Sequence, residues 1–230
     1  MEKNSATRGR GSTSNPSSRF ERLGYDDADQ DVVQPDEFDD DAPARPRTEF
    51  FRDSSASIVA QNESPDVGFD ASINPYRGCE HGCVYCYARP THSYLNLSPG
   101  LDFETRLFAK INAADLLVRE LTAPGYDVEY IAIGSATDAY QPIERELCIT
   151  RAILEVLERA RHPLGVVTKS ALVERDIDLL APMAEERLAE VFVSITTLDS
   201  TLSRILEPRA ASPQRRLRSP GSSLRVTPSG

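Results

Sequence analysis

Between residues 128 and 195, three apolar runs of strand length alternate with two longer stretches of helical period, and no other feature restricts the fold as much. Residues 128–133, 164–168 and 191–195 are the strand runs. Residues 144–161 place Ile149, Ala152, Ile153, Val156, Leu157 and Ala160 at helical spacing until His162-Pro163 stops them, and residues 173–186 give the next helix. Upstream, residues 104–121 contain an amphipathic helical stretch, clearest at 115–121 and ended by Pro124-Gly125. Residues 70–76 read as a further strand, and residues 48–67 as short strands or a lead-in. Strand followed by helix, repeated, requires a parallel sheet with right-handed crossovers, so the fold class is α/β. Periodicity alone does not choose between an open doubly wound sheet and a barrel.

The strand at 70–76 runs into Cys79-Glu80-His81-Gly82-Cys83-Val84-Tyr85-Cys86, a C-x3-C-x2-C loop with an aromatic residue before its last cysteine. A cubane iron-sulfur cluster held wholly by protein takes four thiolates, and this loop supplies three. One iron would stay open to a small molecule, as the open position of a catalytic zinc does. A zinc site is the alternative, with His81, His92 or Cys148 as fourth ligand. Disulfides fit poorly, because the opening residues contain no secretory signal. Cys148 reads as an apolar-flanked residue at the start of a helix, buried and outside the cluster.

On these residues the chain resembles the radical S-adenosylmethionine (SAM) superfamily, whose signature is C-x3-C-x-aromatic-C, with Tyr85 as the aromatic. The string from Gly9-Arg10-Gly11-Ser12-Thr13-Ser14-Asn15-Pro16 to Phe20 is similar to the opening of a photolyase-like group of bacterial radical SAM proteins. The resemblance implies a 4Fe-4S cluster on Cys79, Cys83 and Cys86, with SAM on the fourth iron. An electron donor such as flavodoxin or ferredoxin would reduce the cluster, SAM would be cleaved, and a 5′-deoxyadenosyl radical would take hydrogen from a substrate. It also implies a partial (β/α) barrel with the site at the C-terminal ends of the strands.

The spore photoproduct lyase-like branch further implies SAM contacts at Tyr85, at Ser135, Thr137 and Asp138 in the loop after residue 133, at Lys169 and at Ser194. Read from residue chemistry alone, Thr137 and Asp138 are equally turn residues and Lys169 an ordinary lysine at a strand end. Ser194 is a polar residue in an apolar strand, facing the lumen or satisfying a backbone group. Tyr87 and His92 are candidates for the same mouth, with a structural or surface place the stronger reading for His92. Damaged DNA is the substrate the branch suggests. Against it stand the absence of a cysteine after Cys148 and of a basic stripe with interleaved aromatics.

Composition divides the chain of 230 residues into three parts. Nine of its acids lie between Asp26 and Asp41, without a Lys or Arg, and account for nearly all of the net charge of −10. Residues 1–47 therefore read as a disordered acidic tail, and Asp39, Asp40 and Asp41 as solvated side chains rather than a preorganised metal site. Residues 48–217 form the α/β core, with Ser212 as N-cap and Pro213 as first residue of a last helix. Residues 218–230 have no period. About four of six β/α units are counted, so the expectation is an incomplete barrel, shortened by truncation or a frameshift, in a radical SAM enzyme or a damaged copy of one. With no apolar run of membrane length and no leader in the opening residues, the expected location is cytoplasmic. The competing function class is a zinc-stabilised binding module with an acidic interaction tail.

Overall fold

The computed structural model describes residues 9–16, 47–62 and 67–219, so the acidic block at 26–41 and the residues after Ser219 lie outside the described residues. The strands are β1 (Glu49–Arg52), β2 (Val59–Gln61), β3 (Ala71–Ile73), β4 (Tyr76–Arg77), β5 (Arg106–Ala109), β6 (Ile131–Ile133), β7 (Leu164–Thr168) and β8 (Ala189–Val193). The main sheet runs β2-β3-β6-β7-β8; β3, β6, β7 and β8 are parallel, and β2 joins β3 antiparallel. A second sheet orders β1-β5-β4.

Burial explains the uniform apolar character of the central strands. Ile73, Ile131, Ile133, Leu164 and Val166 are closed to solvent, as parallel strands covered on both faces must be. The covering helices are α2 (Ala113–Leu121), α4 (Ile149–Arg159) and α5 (Ile177–Glu185), and α4 packs against both others. Leu117, Ile153, Leu154 and Leu157 give their apolar stripes to one core with the strands. None of the helices among the described residues is long and apolar enough to cross a membrane.

The structure departs from the expected elements at six places. Residues 104–121 are one helical turn, α1 (Asp102–Thr105), then β5, then α2. Leu107 and Ala109 alternate in burial with Arg106 and Phe108, and pairing with β1 and β4, both distant in sequence, overrides local helical tendency. The helix at 144–161 is split into α3 (Glu144–Leu147) and α4 by Cys148, whose φ is 50°. Cys148 is thus only partly buried, in a left-handed hinge. The wholly buried Glu144 compensates, accepting hydrogen bonds from the N–H groups of Thr150 (3.0 Å) and Arg151 (3.3 Å) at the start of α4. Residues 171–176 form a 3-10 turn before α5, and β8 starts two residues earlier than the apolar run suggests. A short helix, α6 (Ser200–Leu206), follows β8, capped by Asp199 through the N–H groups of Thr201 and Leu202. Lastly, residues 9–16, within the segment expected to lack structure, are packed on the core. The last helix, α7 (Pro213–Leu217), begins at Pro213 with Ser212 as its cap.

Candidate functional site

The chain leaves β6 and β7 through loops that converge on the cysteine segment. Gly134 follows β6 at φ +86°, and a Cβ there would lie 2.8 Å from the Val167 carbonyl oxygen, so only glycine lets this loop approach the end of β7. Asn74, just past β3, accepts from the Ala136 N–H (2.7 Å) and donates to Ser135 Oγ (3.1 Å). Thr137 Oγ1 donates to the Gly78 carbonyl (2.6 Å), and Gln141 accepts from the Glu80 N–H (2.9 Å). These bonds fix the 134–138 loop against the segment that carries the cysteines.

The result is a cleft that is open at its mouth. Cys79, Cys83 and Cys86 line it, as do Ser135, Thr137, Asp138 and Lys169, so seven of the nine expected site residues share one wall. Tyr85 and Ser194 are not on that wall. The Tyr85 hydroxyl bonds to Glu207 and to Thr196 Oγ1, while its ring lies 5.8 Å from Lys169 Nζ. The backbone of Ser194 is engaged instead, its N–H with the Thr168 carbonyl (2.9 Å) and its carbonyl with Arg216 (2.8 Å). Tyr87 lines the cleft and donates to the Ser135 carbonyl; His92 is buried outside it, bonded to the Arg106 carbonyl.

Asp138 is a hub. Its Oδ1 accepts from Thr168 Oγ1 (2.7 Å) and the Tyr140 N–H (2.8 Å), and its Oδ2 from the Lys169 N–H (2.7 Å). His81 Nδ1 lies 3.2 Å from Oδ2, although not aligned for a hydrogen bond. Burial acts to raise the Asp138 pKa, but the His81 ring and the bonds from Lys169 and Thr168 outweigh it and hold the carboxyl at about 2. The stability this ionisation contributes is present above the unfolded value near 3.8 and is lost as pH falls from about 4 to about 2. Asp138→Asn should be about 2 kcal/mol less stable than wild type at pH 7, the gap closing by pH 2, as urea unfolding at both pH values would show.

The thiols differ from solvent-exposed cysteines. Burial raises the Cys79 pKa well above its ordinary value, and burial pushes Cys83 up to about 12 although the Lys169 ammonium opposes it. The Cys79 and Cys83 thiols are therefore neutral at neutral pH, and a metal guest would replace their protons. Lys169 itself has no carboxylate partner among the described residues.

The donor set fits a guest with three thiolate contacts and one open position. The fourth cysteine, Cys148, is remote from the cleft, its sulfur 3.6 Å from Arg175 Nη1. His92 is also outside, which removes two of the three fourth ligands a zinc site would draw on; His81 alone remains on the wall. All three thiols line the cleft, although no group of three His, Cys, Asp or Glu among the described residues is drawn together for a metal ion.

The sequence contained no sign of the residues that support this wall from behind. Glu104, Glu207 and Arg216 are distant from the cysteines in sequence, Arg89 follows Cys86 by three residues, and none of the four sits in a motif. The Gly9–Pro16 string was a visible signal without an assigned role.

The Radical SAM superfamily model matches residues 73–220. The uncharacterized protein Rv2578c of Mycobacterium tuberculosis is 39% identical over 161 residues, covering 69% of this chain and 47% of that protein. The uncharacterized protein MJ0683 of Methanocaldococcus jannaschii is 32% identical over 145 residues, 63% of this chain and 51% of that protein. The chain thus spans about half the length of the curated relatives it matches. A solved spore photoproduct lyase mutant, with bound AdoMet and dinucleoside spore photoproduct, superposes with a TM-score of 0.51 at 16% identity, covering 77% of this chain and 49% of that one. That likeness concerns the fold, in which parallel strands deliver their C-terminal ends to one cleft. Since the family model covers the cysteine loop, the 134–138 loop and the strands that present them, the chain belongs to the radical SAM superfamily.

Proposed function

We propose that Cys79, Cys83 and Cys86 hold a 4Fe-4S cluster whose open iron binds SAM, and that the protein uses this pair to abstract hydrogen from a substrate. The observation behind this reading is the set of exactly three cleft thiols, with Cys148 elsewhere. When bound, the reduced cluster supplies one electron that cleaves SAM to methionine and a 5′-deoxyadenosyl radical.

The chain's own residues bind, orient and shield. Asp138 has its oxygens occupied by Thr168, Lys169 and Tyr140, so it acts by fixing the loop and the end of β7 rather than by touching SAM. The Lys169 ammonium, which has no carboxylate partner among the described residues, would serve as a point charge for the carboxylate of SAM. Ser135 and Tyr87 form the more open side of the cleft, and Tyr85 steadies Lys169 through its ring face. The electron comes from a flavodoxin- or ferredoxin-type donor. Damaged DNA is the substrate class to try first, because the spore photoproduct lyase neighbour holds a dinucleoside spore photoproduct.

The test is an oxygen-free assay of iron- and sulfide-reconstituted protein with SAM and dithionite. The expected products are 5′-deoxyadenosine and methionine in equal amounts. Tightly bound zinc, with SAM recovered intact, would overturn the reading in favour of a zinc-stabilised module.

A further inference from the structure

We propose that residues 9–16 are a strap that holds the cysteine loop in its cluster-ready shape, with Glu104 as the positioning residue through which the strap acts. This rests on the cluster reading above and deepens it. None of the strap residues, nor Glu104, lines the cleft, so their effect must pass through the loop.

Glu104, on α1, is closed to solvent, and a buried carboxylate requires partners. It has three. The Gly11 N–H donates to Oε2 (2.9 Å), the Ser12 N–H to Oε1 (2.8 Å), and Arg89 Nη2 to Oε1 (2.6 Å). Arg89 in turn donates through Nε (3.2 Å) and Nη2 (3.0 Å) to the Cys83 carbonyl. One carboxylate thus connects two strap amides to the backbone of a cluster ligand.

The strap also touches the loop directly. A Cβ at Gly11 would fall 1.7 Å from the Gly82 carbonyl oxygen, and Gly82, at φ +65°, would set a Cβ 2.6 Å from Glu104 Oε2. Two glycines therefore face each other where Cys79 and Cys83 are joined, and no side chain fits between strap and loop. Arg10 spans the contact, donating to the Glu104 carbonyl (2.7 Å) and to Thr48 Oγ1 (2.8 Å), which donates to Glu80 Oε1 (3.0 Å). The far end is clamped by Asn15, which exchanges hydrogen bonds with Asp102 through its Nδ2 (2.7 Å) and Oδ1 (2.9 Å). The Gly-Arg-Gly-Ser order suits this contact: a bare backbone against Gly82, a long cation one residue before it, and two successive amides for Glu104.

A loop held from behind loses less conformational freedom when three thiols close on one guest, and supporting contacts around a metal ligand typically alter retention by about 10–100-fold. The test compares wild type, Gly11→Ala, Arg10→Ala and Gly68→Ala in the full chain. Gly68 is a control, because a Cβ there meets nothing within 4 Å. Two quantities are read: amide hydrogen exchange of residues 79–89 in cluster-free protein, and the rate at which a chelator strips iron from reconstituted protein.

Gly11→Ala should raise exchange at 79–89 and the rate of iron loss by about 10-fold or more, with β6 and β7 amides unchanged and Gly68→Ala like wild type. Arg10→Ala should shift both in the same direction by less, and it decides the matter if Gly11→Ala does not fold. Unchanged exchange and unchanged iron retention in both strap variants would overturn the strap. A wild type that takes up no 4Fe-4S cluster would instead overturn the function reading, while the exchange data would still report on strap and loop.

Discussion

Cys83→Ala protein, treated with iron and sulfide without oxygen, should hold no stable 4Fe-4S cluster and should form 5′-deoxyadenosine from SAM at least about a hundred-fold more slowly than wild type. The magnitude follows from what neighbouring groups already contribute: losing a partner that merely orients a metal ligand lowers metal affinity about 10–100-fold, and losing a ligand exceeds that. No other cysteine can substitute, because Cys148 lies away from the cleft beside Arg175. Cys148→Ala should therefore retain cluster and activity. Iron and sulfide analysis of the two variants measures the contrast, and equal cluster content in both would contradict the assignment of the three ligands.

The second large effect belongs to the segment after β8. Glu207 and Arg216 are each 2% exposed and form an ion pair. Arg216 also donates to the carbonyls of Ala211 (2.7 Å) and Ser194 (2.8 Å), and Glu207 accepts from Thr196 Oγ1 (2.6 Å) and the Tyr85 hydroxyl. Burial acts to raise the Glu207 pKa, yet the bonds from Arg216, Thr196 and Tyr85 bring it below the ordinary value, so the pair is ionised. Arg216→Met leaves an unpaired buried carboxylate, at a cost of about 3–5 kcal/mol. For a chain of this size that lowers the melting temperature by roughly 6–20 °C. The double variant Glu207→Met with Arg216→Met removes both charges and should regain most of the loss. Calorimetry distinguishes the two, and a double variant no better than the single one would show that the pair's hydrogen bonds, not its charges, hold this segment.

That ion pair also explains why Tyr85 is oriented as it is. Its hydroxyl is turned to Glu207 and Thr196, and the segment it meets is bound to the cysteine loop a second time, by Arg209 to Glu80 (2.9 Å) and by the Val84 N–H to the Leu206 carbonyl (3.0 Å). The cysteine loop is thus held on one side by residues 9–16 and on the other by residues 206–216.

What the sequence made legible was whatever local chemistry encodes. The three thiols, the 134–138 loop and Lys169 each follow a strand, and the parallel order of β3, β6, β7 and β8 brings those strand ends together. The period of α4 was readable because its core-facing residues repeat at helical spacing. The strand β5 was not, since four residues reading Arg-Leu-Phe-Ala have no local signature and become a strand only by pairing with β1 and β4. The break at Cys148 was hidden for the same reason: the buried Glu144, bonded to Tyr76 (2.5 Å) and Arg175 (2.7 Å), stabilises a hinge that propensity disfavours. Tyr85 and Ser194 were placed by resemblance, whereas their environment is set by Glu207 and Arg216, whose ion pair joins positions nine residues apart with no motif to mark it. Charged groups buried by tertiary contact are the part of a site that a sequence pattern does not record.

The most direct test of the account is the electron paramagnetic resonance spectrum of the reconstituted, reduced protein recorded with and without SAM. The three-thiol cleft predicts a 4Fe-4S signal whose g values shift when SAM occupies the open iron, and which is absent in Cys83→Ala. A 4Fe-4S signal indifferent to SAM, or protein that binds zinc and gives no iron signal, would contradict it.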